Sequence, residues 1–579
     1  MPKKKKNKTS ATSQPAERQR QPNLWASIVF PFLLFAFVFG GTDAILLQDS
    51  WSFGIALFLV MSLNCNVFFK SLSRFRQSLV SALLILVGFT VVLFVIPPVH
   101  IAKSTTFLTE PKTLNGTKIN YARVISERIP REKLVNENGL RNIAETFGPA
   151  ILNTEQNRNE YWKKLCDILK LDPKQKPTQF CQTAESFFSQ RREEIVPSSP
   201  IRLLEQLREN PWKSDEFPVA KDWLEQNDAA FNLLAEAVKQ ENFTIPVLWS
   251  ESLAERDAAP KLEYFLSAIG RDLRIRIQNA IGNGQHDKAW TDVLTQFHLA
   301  RHLFQQAFEP TTFFNAQILW ADAVQSAVAT CQYGNFSAEE LESKLAELDF
   351  FLLPFSKELG KSIVDTERLL ALERMQATAW GENSNFESPF FKRFFRFFHW
   401  NETLRKINAY FDWVEVLEMP NYTLASSFPI RENASDWSQI IKCGLFRAVP
   451  DKRGLMEIKL WTDRAHQLEQ QLKTIQARAM LLRSAVYLEM YRKEHDGKYP
   501  AIWTDLKVVY GDNIPDDPCR PPRSSNRSFK YMPLENGIGY KLYSVGPNGI
   551  DENGISWKEN RKSDDIAVNG TQVNPFRKN

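Results

Sequence analysis

The stretch "PKLEYFLSAIGRDLRIRIQNAIGNGQHDKAWTDVLTQFHLARHLFQQAF", residues 260–308, decides how the larger part of this chain folds. Apolar residues recur every three or four positions on both sides of Gly282-Asn283-Gly284. That spacing gives each side one apolar helical face, and the glycine-rich triplet supplies the turn between them. The expectation is an antiparallel helix pair. A second start follows in "GNFSAEELESKLAEL", residues 334–348, where Ser337 caps a helix and Glu340, three residues on, completes a capping box.

Both turn-and-start segments resemble those of tetratricopeptide-type hairpins. The full repeat signature is absent, so only antiparallel helix pairs are predicted. Stacks of this kind present interaction surfaces. His298 and His302 stand four apart in this region, on one helical face. That is the spacing of a zinc helix, but Leu299 stands where such a helix carries Glu. The alternative is a pair of partly buried histidines, and it is the favoured reading.

At 579 residues the chain is too long for one core. A net charge of +5 is small for that length and is not gathered into a patch, so no nucleic-acid partner is expected. The charge concentrates in "MPKKKKNK" with Arg18 and Arg20, which predicts a disordered basic tail over residues 1–23. Such a tail reads as topogenic in preference to nucleic-acid binding.

Three apolar segments follow, Leu24–Leu47, Trp51–Phe69 and Leu79–Ile96. Each approaches the roughly 20 residues that cross a bilayer as a helix. Lys70, Arg74 and Arg76 lie in the second connection, and the first has no basic residue. The positive-inside rule then puts the N-terminus in the cytoplasm and everything after the third segment outside.

The expected fold class is therefore a multi-pass α-helical membrane anchor (24–98), then a mainly α-helical external domain of antiparallel helix pairs (99–460), then a small α+β module (461–579). The expected location is a bacterial inner membrane, with the lipid bilayer and an envelope protein as partners. "FFKRFFRFFHW", Phe390–Trp400, alternates six phenylalanines with Lys392, Arg393 and Arg396. It reads either as a segment in the bilayer interface or as a core helix whose basic groups reach the surface. Cys166 and Cys181 are close enough in sequence to pair if the compartment is oxidising.

No nucleotide-binding or nucleophile motif occurs; GxxxxGK[ST], GxSxG and GxGxxG are all missing. The sequence therefore leans away from an enzyme, and no catalytic residue is named.

Toward the C-terminus, Leu468, Leu472, Ile475, Ala479, Leu482, Val486 and Met490 step by three or four along a long amphipathic helix. It ends at Asp496-Gly497. Short alternating segments between Gly, Pro and Asn turns come next and predict a small antiparallel sheet packed on the helix.

The residues "YRKEHDGKYP" (491–500), "PDDP" (515–518), "YKLYSVGPNG" (540–549) and "SDDIAV" (563–568) agree in order with a family pattern. This region resembles the C-terminal domain of the type II secretion major pseudopilin, as it occurs in large membrane-anchored proteins of planctomycete-like bacteria. The resemblance covers about residues 470–568. It implies a calcium-binding loop after the "LYS" strand. Carried over by position, the implied ligands are Asn548, Asp551, Asp564 and Asp565, and calcium is the implied cofactor. Asn548 stands where the family has Asp, and Lys558, Arg561 and Lys562 oppose a cation. A purely structural hairpin is the alternative.

The leading expectation for function is a membrane-anchored envelope protein with an interaction or structural role. The alternatives are a component of a type II secretion-like machine and an external envelope hydrolase.

Overall fold

The computed structural model describes residues 113–570, apart from 380–399, 417–447 and several shorter segments. By internal contacts the chain divides into two units, the larger made of His100–Gln376, Leu404–Glu432 and Gly454–Asn579.

A two-stranded hairpin, β1 (Thr113–Leu114) and β2 (Lys118–Ile119), comes first. Short helices follow: α1 (Tyr121–Ser126), α2 (Arg131–Val135), α3 (Gly139–Phe147), α4 (Arg158–Leu169), α5 (Ala184–Gln190) and α6 (Pro200–Glu209). Longer ones succeed them: α7 (Pro218–Ala237), α8 (Leu262–Gly282), α9 (His286–Gln305), α10 (Pro310–Tyr333), α11 (Ala338–Leu352), α12 (Lys357–Ala379) and α13 (Trp400–Val416). The C-terminal part holds α14 (Ala448–Glu494), α15 (Trp503–Tyr510) and strands β3 (Lys530–Pro533), β4 (Tyr540–Ser544) and β5 (Ile566–Gly570).

Helices α8, α9 and α10 form the centre. Leu266, Leu273 and Ile277 from α8, Val293, Phe297 and Leu303 from α9, and Leu319 and Ala323 from α10 are all buried. Burying a side chain of this size is worth about 1.5–3 kcal/mol each, which is why the apolar stripe dictates the packing. Gly270 lets the helices close up: a Cβ there would lie 2.8 Å from Leu319 and 2.9 Å from Leu299. Gln296 uses the same gap to donate to the Gly270 carbonyl at 2.8 Å.

The turn at Gly282–Gly284 separates α8 from α9, with Gly284 at φ +75°, a conformation glycine adopts without steric cost. At the start of α11, Glu340 N–H donates to Ser337 Oγ at 3.2 Å, and Ser337 N–H donates to Glu340 Oε2 at 2.7 Å. Two orphan donors of the first turn are satisfied reciprocally.

Helix α14 buries Ile475, Leu482, Val486 and Met490. It begins at Ala448, twenty residues before the stripe that announces it in the sequence. Arg483 on α14 reaches Asp349 on α11 at 2.7 Å, and Arg492 donates to the Gln332 carbonyl on α10 at 3.2 Å. Glu489, 1% exposed, accepts from Tyr499 Oη at 2.6 Å and pairs with Arg492 at 2.8 Å. These links tie α14 to α10 and α11 and hold Tyr499, whose ring meets Tyr540 of β4 edge-on at 4.8 Å. The sheet is antiparallel in the order β3-β4-β5, with Tyr540 and Leu542 of the central strand buried and Tyr540 opposing Pro533 and Gly570 in register.

The expected membrane architecture requires correction. Among the described residues no helix is long and apolar enough to cross a membrane. Their apolar faces are spent on packing against one another: α10, 24 residues long, buries Leu319, Trp320, Ala323 and Ala327 within the helical stack. The described architecture is mostly helical with a small three-stranded sheet. A multi-pass anchor is not part of it, and the multi-pass membrane location built on that anchor is withdrawn. Leu24–Leu47, Trp51–Phe69 and Leu79–Ile96 lie outside the described residues, as does Phe390–His399. Cys166 and Cys181 are free thiols, not a pair. Burial pushes them up to about 11 and about 12, where a thiol is inert at neutral pH.

Candidate metal centre

The loop from β4 to β5 begins with a sharp turn. Gly546 (φ +67°) and Gly549 (φ +71°) take left-handed backbone, and Asn548 Oδ1 accepts from Ile550 N–H at 2.6 Å. The turn brings residues 548–554 alongside 563–565. Asp565, 3% exposed, accepts from Glu552 N–H at 3.0 Å and from Gly554 N–H at 2.7 Å, both through Oδ2. Asp564 accepts from Asn548 N–H at 3.0 Å through its own Oδ2.

Three carboxylates thus converge. Oxygens of Glu552, Asp564 and Asp565 all lie within 4.8 Å of one another. The second oxygen of each, Glu552 Oε2, Asp564 Oδ1 and Asp565 Oδ1, is buried with no hydrogen-bond partner. Three orphaned acceptors of like charge in one place are costly unless a cation or protons neutralise them. Burial, and then the neighbouring Glu552 carboxylate, pushes Asp565 up to about 7. Burial also raises Asp564.

Of the four residues that the sequence offers as ligands, two stand in this trio and two do not. Asp564 and Asp565 do. Asn548 sits beside it, with its side-chain amide donating to Glu552 Oε1 at 2.8 Å and its carbonyl oxygen occupied by the turn. Asp551 is committed elsewhere: Lys530 Nζ on β3 lies 2.9 Å away, and Tyr543 Oη and Asn553 N–H donate to it at 3.0 and 3.1 Å. Burial opposes the shift, yet these donors hold Asp551 below the usual carboxylate range. Glu552 takes its place, a residue that position-by-position comparison passes over. Its signal in the sequence is the run Asp551-Glu552 in a Gly/Asn turn, where either acid could face inward.

The donor set fits a hard cation. All three ligands offer oxygen, and two already use one oxygen to fix the loop while leaving the other free. Calcium accepts six to eight oxygens at flexible geometry, so carbonyls or water would complete the shell. No soft thiolate or imidazole belongs to the group, which disfavours zinc and copper.

His298 and His302 do not form a metal site. His302 Nε2 lies 2.9 Å from the Val238 carbonyl, and its ring stacks on Phe243 at 4.8 Å. His298 meets Phe351 edge-on at 4.8 Å. Burial pushes His298 down to about 4, helped by the charges of His302 and Arg301, so it is a neutral core group at pH 7.

Compared with known proteins, the chain matches no protein-family model, no curated protein and no solved structure. The likeness of its C-terminal residues to the pseudopilin family rests on the sequence motifs alone.

Proposed function

We propose that this is a non-enzymatic binding protein, a helical scaffold ending in a small α+β module whose long loop is locked by calcium. The observation that carries the reading is Asp565: a carboxylate 3% exposed, with one oxygen tied to two loop amides and the other buried without a partner beside Glu552 and Asp564. A divalent cation there offsets most of the charge of the trio and fixes the two halves of the loop against each other. Helices α8, α9 and α10, packed on one another, with α11 against α9, supply a support for partner proteins, the use to which helical stacks are commonly put.

Terbium, a hard oxygen-seeking cation, tests this on the full chain. Tyr543 lies against the loop, with a ring carbon 2.9 Å from where a Cβ on Gly554 would stand. Tyrosine-sensitised terbium emission should appear, be displaced by calcium, and disappear in Asp565→Asn. Emission that persists in Asp565→Asn, or that never appears, contradicts the reading.

A further inference from the structure

A second site stands apart from the carboxylate trio and does not rest on it. Arg271 and Arg274 lie three positions apart on α8, so both reach the same side of the helix. Asp322 on α10 takes both guanidinium groups, one on each oxygen. Arg271 Nε lies 3.2 Å from Oδ2, and Arg274 Nη1 lies 3.1 Å from Oδ1. A third arginine comes from α14. The charge of Asp322 acts on Arg478, opposing the burial that pushes its guanidinium down from the ordinary value.

Arg478 has no counter-ion of its own. Among the described residues it makes neither a hydrogen bond nor an ion pair, and it is half-buried. A charge in that position is costly, because burial strips water from it and no acceptor takes the water's place. An apolar side chain of similar length would sit on α14 without that cost. Among the described residues none of the three arginines pairs with a second carboxylate. Three positive charges therefore surround one negative charge, an excess of two. Side-chain exposure grades from 11% at Arg274 through 19% at Asp322 to 42% at Arg271, so the cluster opens to water on the Arg271 side. A guanidinium carries five N–H donors, and Arg271 and Arg274 each give one to Asp322. Planar guanidinium forks hold the oxygens of a phosphate in pairs. A carboxylate or chloride offsets half of the excess charge, and a phosphate dianion offsets all of it.

We propose that Arg271, Arg274 and Arg478 bind a phosphate dianion, free or as the monoester of a small molecule, between α8, α10 and α14. Asp322 holds Arg271 and Arg274 side by side. Arg478 supplies the charge that the ligand completes. Binding ties the long helix α14 to the centre of the helical stack.

Thermal melting of the full chain tests this, with inorganic phosphate or phenyl phosphate added at constant ionic strength and about pH 8, where a phosphate carries close to two charges. The melting temperature should rise and saturate, as it does for a ligand of the native state. Acetate should give no saturable rise. Phosphate also stabilises proteins by exclusion from their surface, an effect that does not saturate, so the variants decide. Arg478→Gln should melt higher than the native chain in the absence of phosphate and lose the saturable rise. Damage to the fold cannot produce both results. Arg271→Gln, on the open side, should weaken phosphate affinity about tenfold, the worth of one charge-assisted hydrogen bond. Tighter binding of phenyl phosphate than of inorganic phosphate assigns a monoester, and the reverse assigns the free ion. A rise that does not saturate, a saturable rise that persists in Arg478→Gln, an equal rise with acetate, or a lower melting temperature of Arg478→Gln without phosphate overturns the proposal.

Discussion

The Arg276 guanidinium and the Asp292 carboxylate meet inside the helical stack, Nε to Oδ2 at 3.4 Å, with side chains 6% and 3% exposed. The pair links α8 to α9. Arg276 also donates to Asn232 at 2.6 Å and covers the Phe231 ring on α7 at 5.4 Å. Three helices are joined through one cation.

Removing Arg276 leaves Asp292 buried without its counter-charge, whereas removing Asp292 leaves Arg276 still paired with Asp228 at 3.2 Å. Arg276→Ala should therefore cost about 3–5 kcal/mol in urea unfolding and Asp292→Ala less, whereas replacing both by apolar residues of similar volume should cost less than Arg276→Ala alone. If the double variant is as unstable as the sum of the singles, the pairing is not what matters.

The same aspartate sets a pH dependence. Burial raises Asp292 to about 6, with Arg276 opposing. A folded value above the ordinary carboxylate value means the native state holds its proton longer. The stability it contributes is full below about pH 4 and is lost as pH rises through 6. Asp292→Asn should therefore flatten the melting temperature between pH 4 and 6, relative to the native chain.

His298 acts in the opposite sense. Its value of about 4 is depressed by burial, so its contribution is present above about pH 6.5 and is lost as pH falls toward 4. His298→Leu keeps the apolar contact with Phe351 and removes the titration. Its melting temperature should fall less on acidification than that of the native chain. An unchanged acid limb would show that His298 is not neutral in the fold.

The glycine at the head of the loop tests the geometry of the trio. At Gly546, φ is +67°, and a Cβ would lie 2.3 Å from the Asp564 carbonyl and 2.6 Å from Asp564 Oδ1. Gly546→Ala should push Asp564 out of the cluster and weaken calcium binding at least tenfold. Gly549→Ala, with nothing within 4 Å of its Cβ, should cost stability of about 1 kcal/mol through φ alone and leave binding nearly intact. Equal effects of the two on calcium affinity would mean Asp564 is not a ligand.

Much of the helical fold is legible because its signals are local. Period 3.6 and the Gly282–Gly284 turn define α8 and α9, and Ser337 with Glu340 fixes the start of α11. The stripe from Leu468 to Met490 marks the buried face of α14 and misses its first twenty residues, where no such stripe is needed to continue a helix already begun. A run of apolar residues does not by itself say whether lipid or another helix will cover it: in α10 other helices do, while the three apolar segments before residue 100 lie outside the described residues.

The candidate site is only half legible. Asp564 and Asp565 come from the motif that carries the resemblance. Which of Asp551 and Glu552 joins them is decided by Lys530, twenty-one residues away on β3, which claims Asp551 at 2.9 Å. That is a tertiary choice between adjacent acids, and no spacing rule contains it. The arginine cluster joins Arg271 and Arg274 of α8 to Arg478 of α14, far apart in the chain, and leaves no local pattern that announces it.

The most direct test of a calcium-locked loop is the melting temperature of the full chain as calcium is added at constant ionic strength. A ligand that binds only the native state stabilises it by about 2.7 kcal/mol at a hundred times its dissociation constant. A saturable rise with calcium is expected in the native chain. It should be lost in Glu552→Gln with Asp565→Asn, while Asp551→Asn keeps it. No rise in the native chain, or a rise that survives the double variant, contradicts a calcium site at this trio.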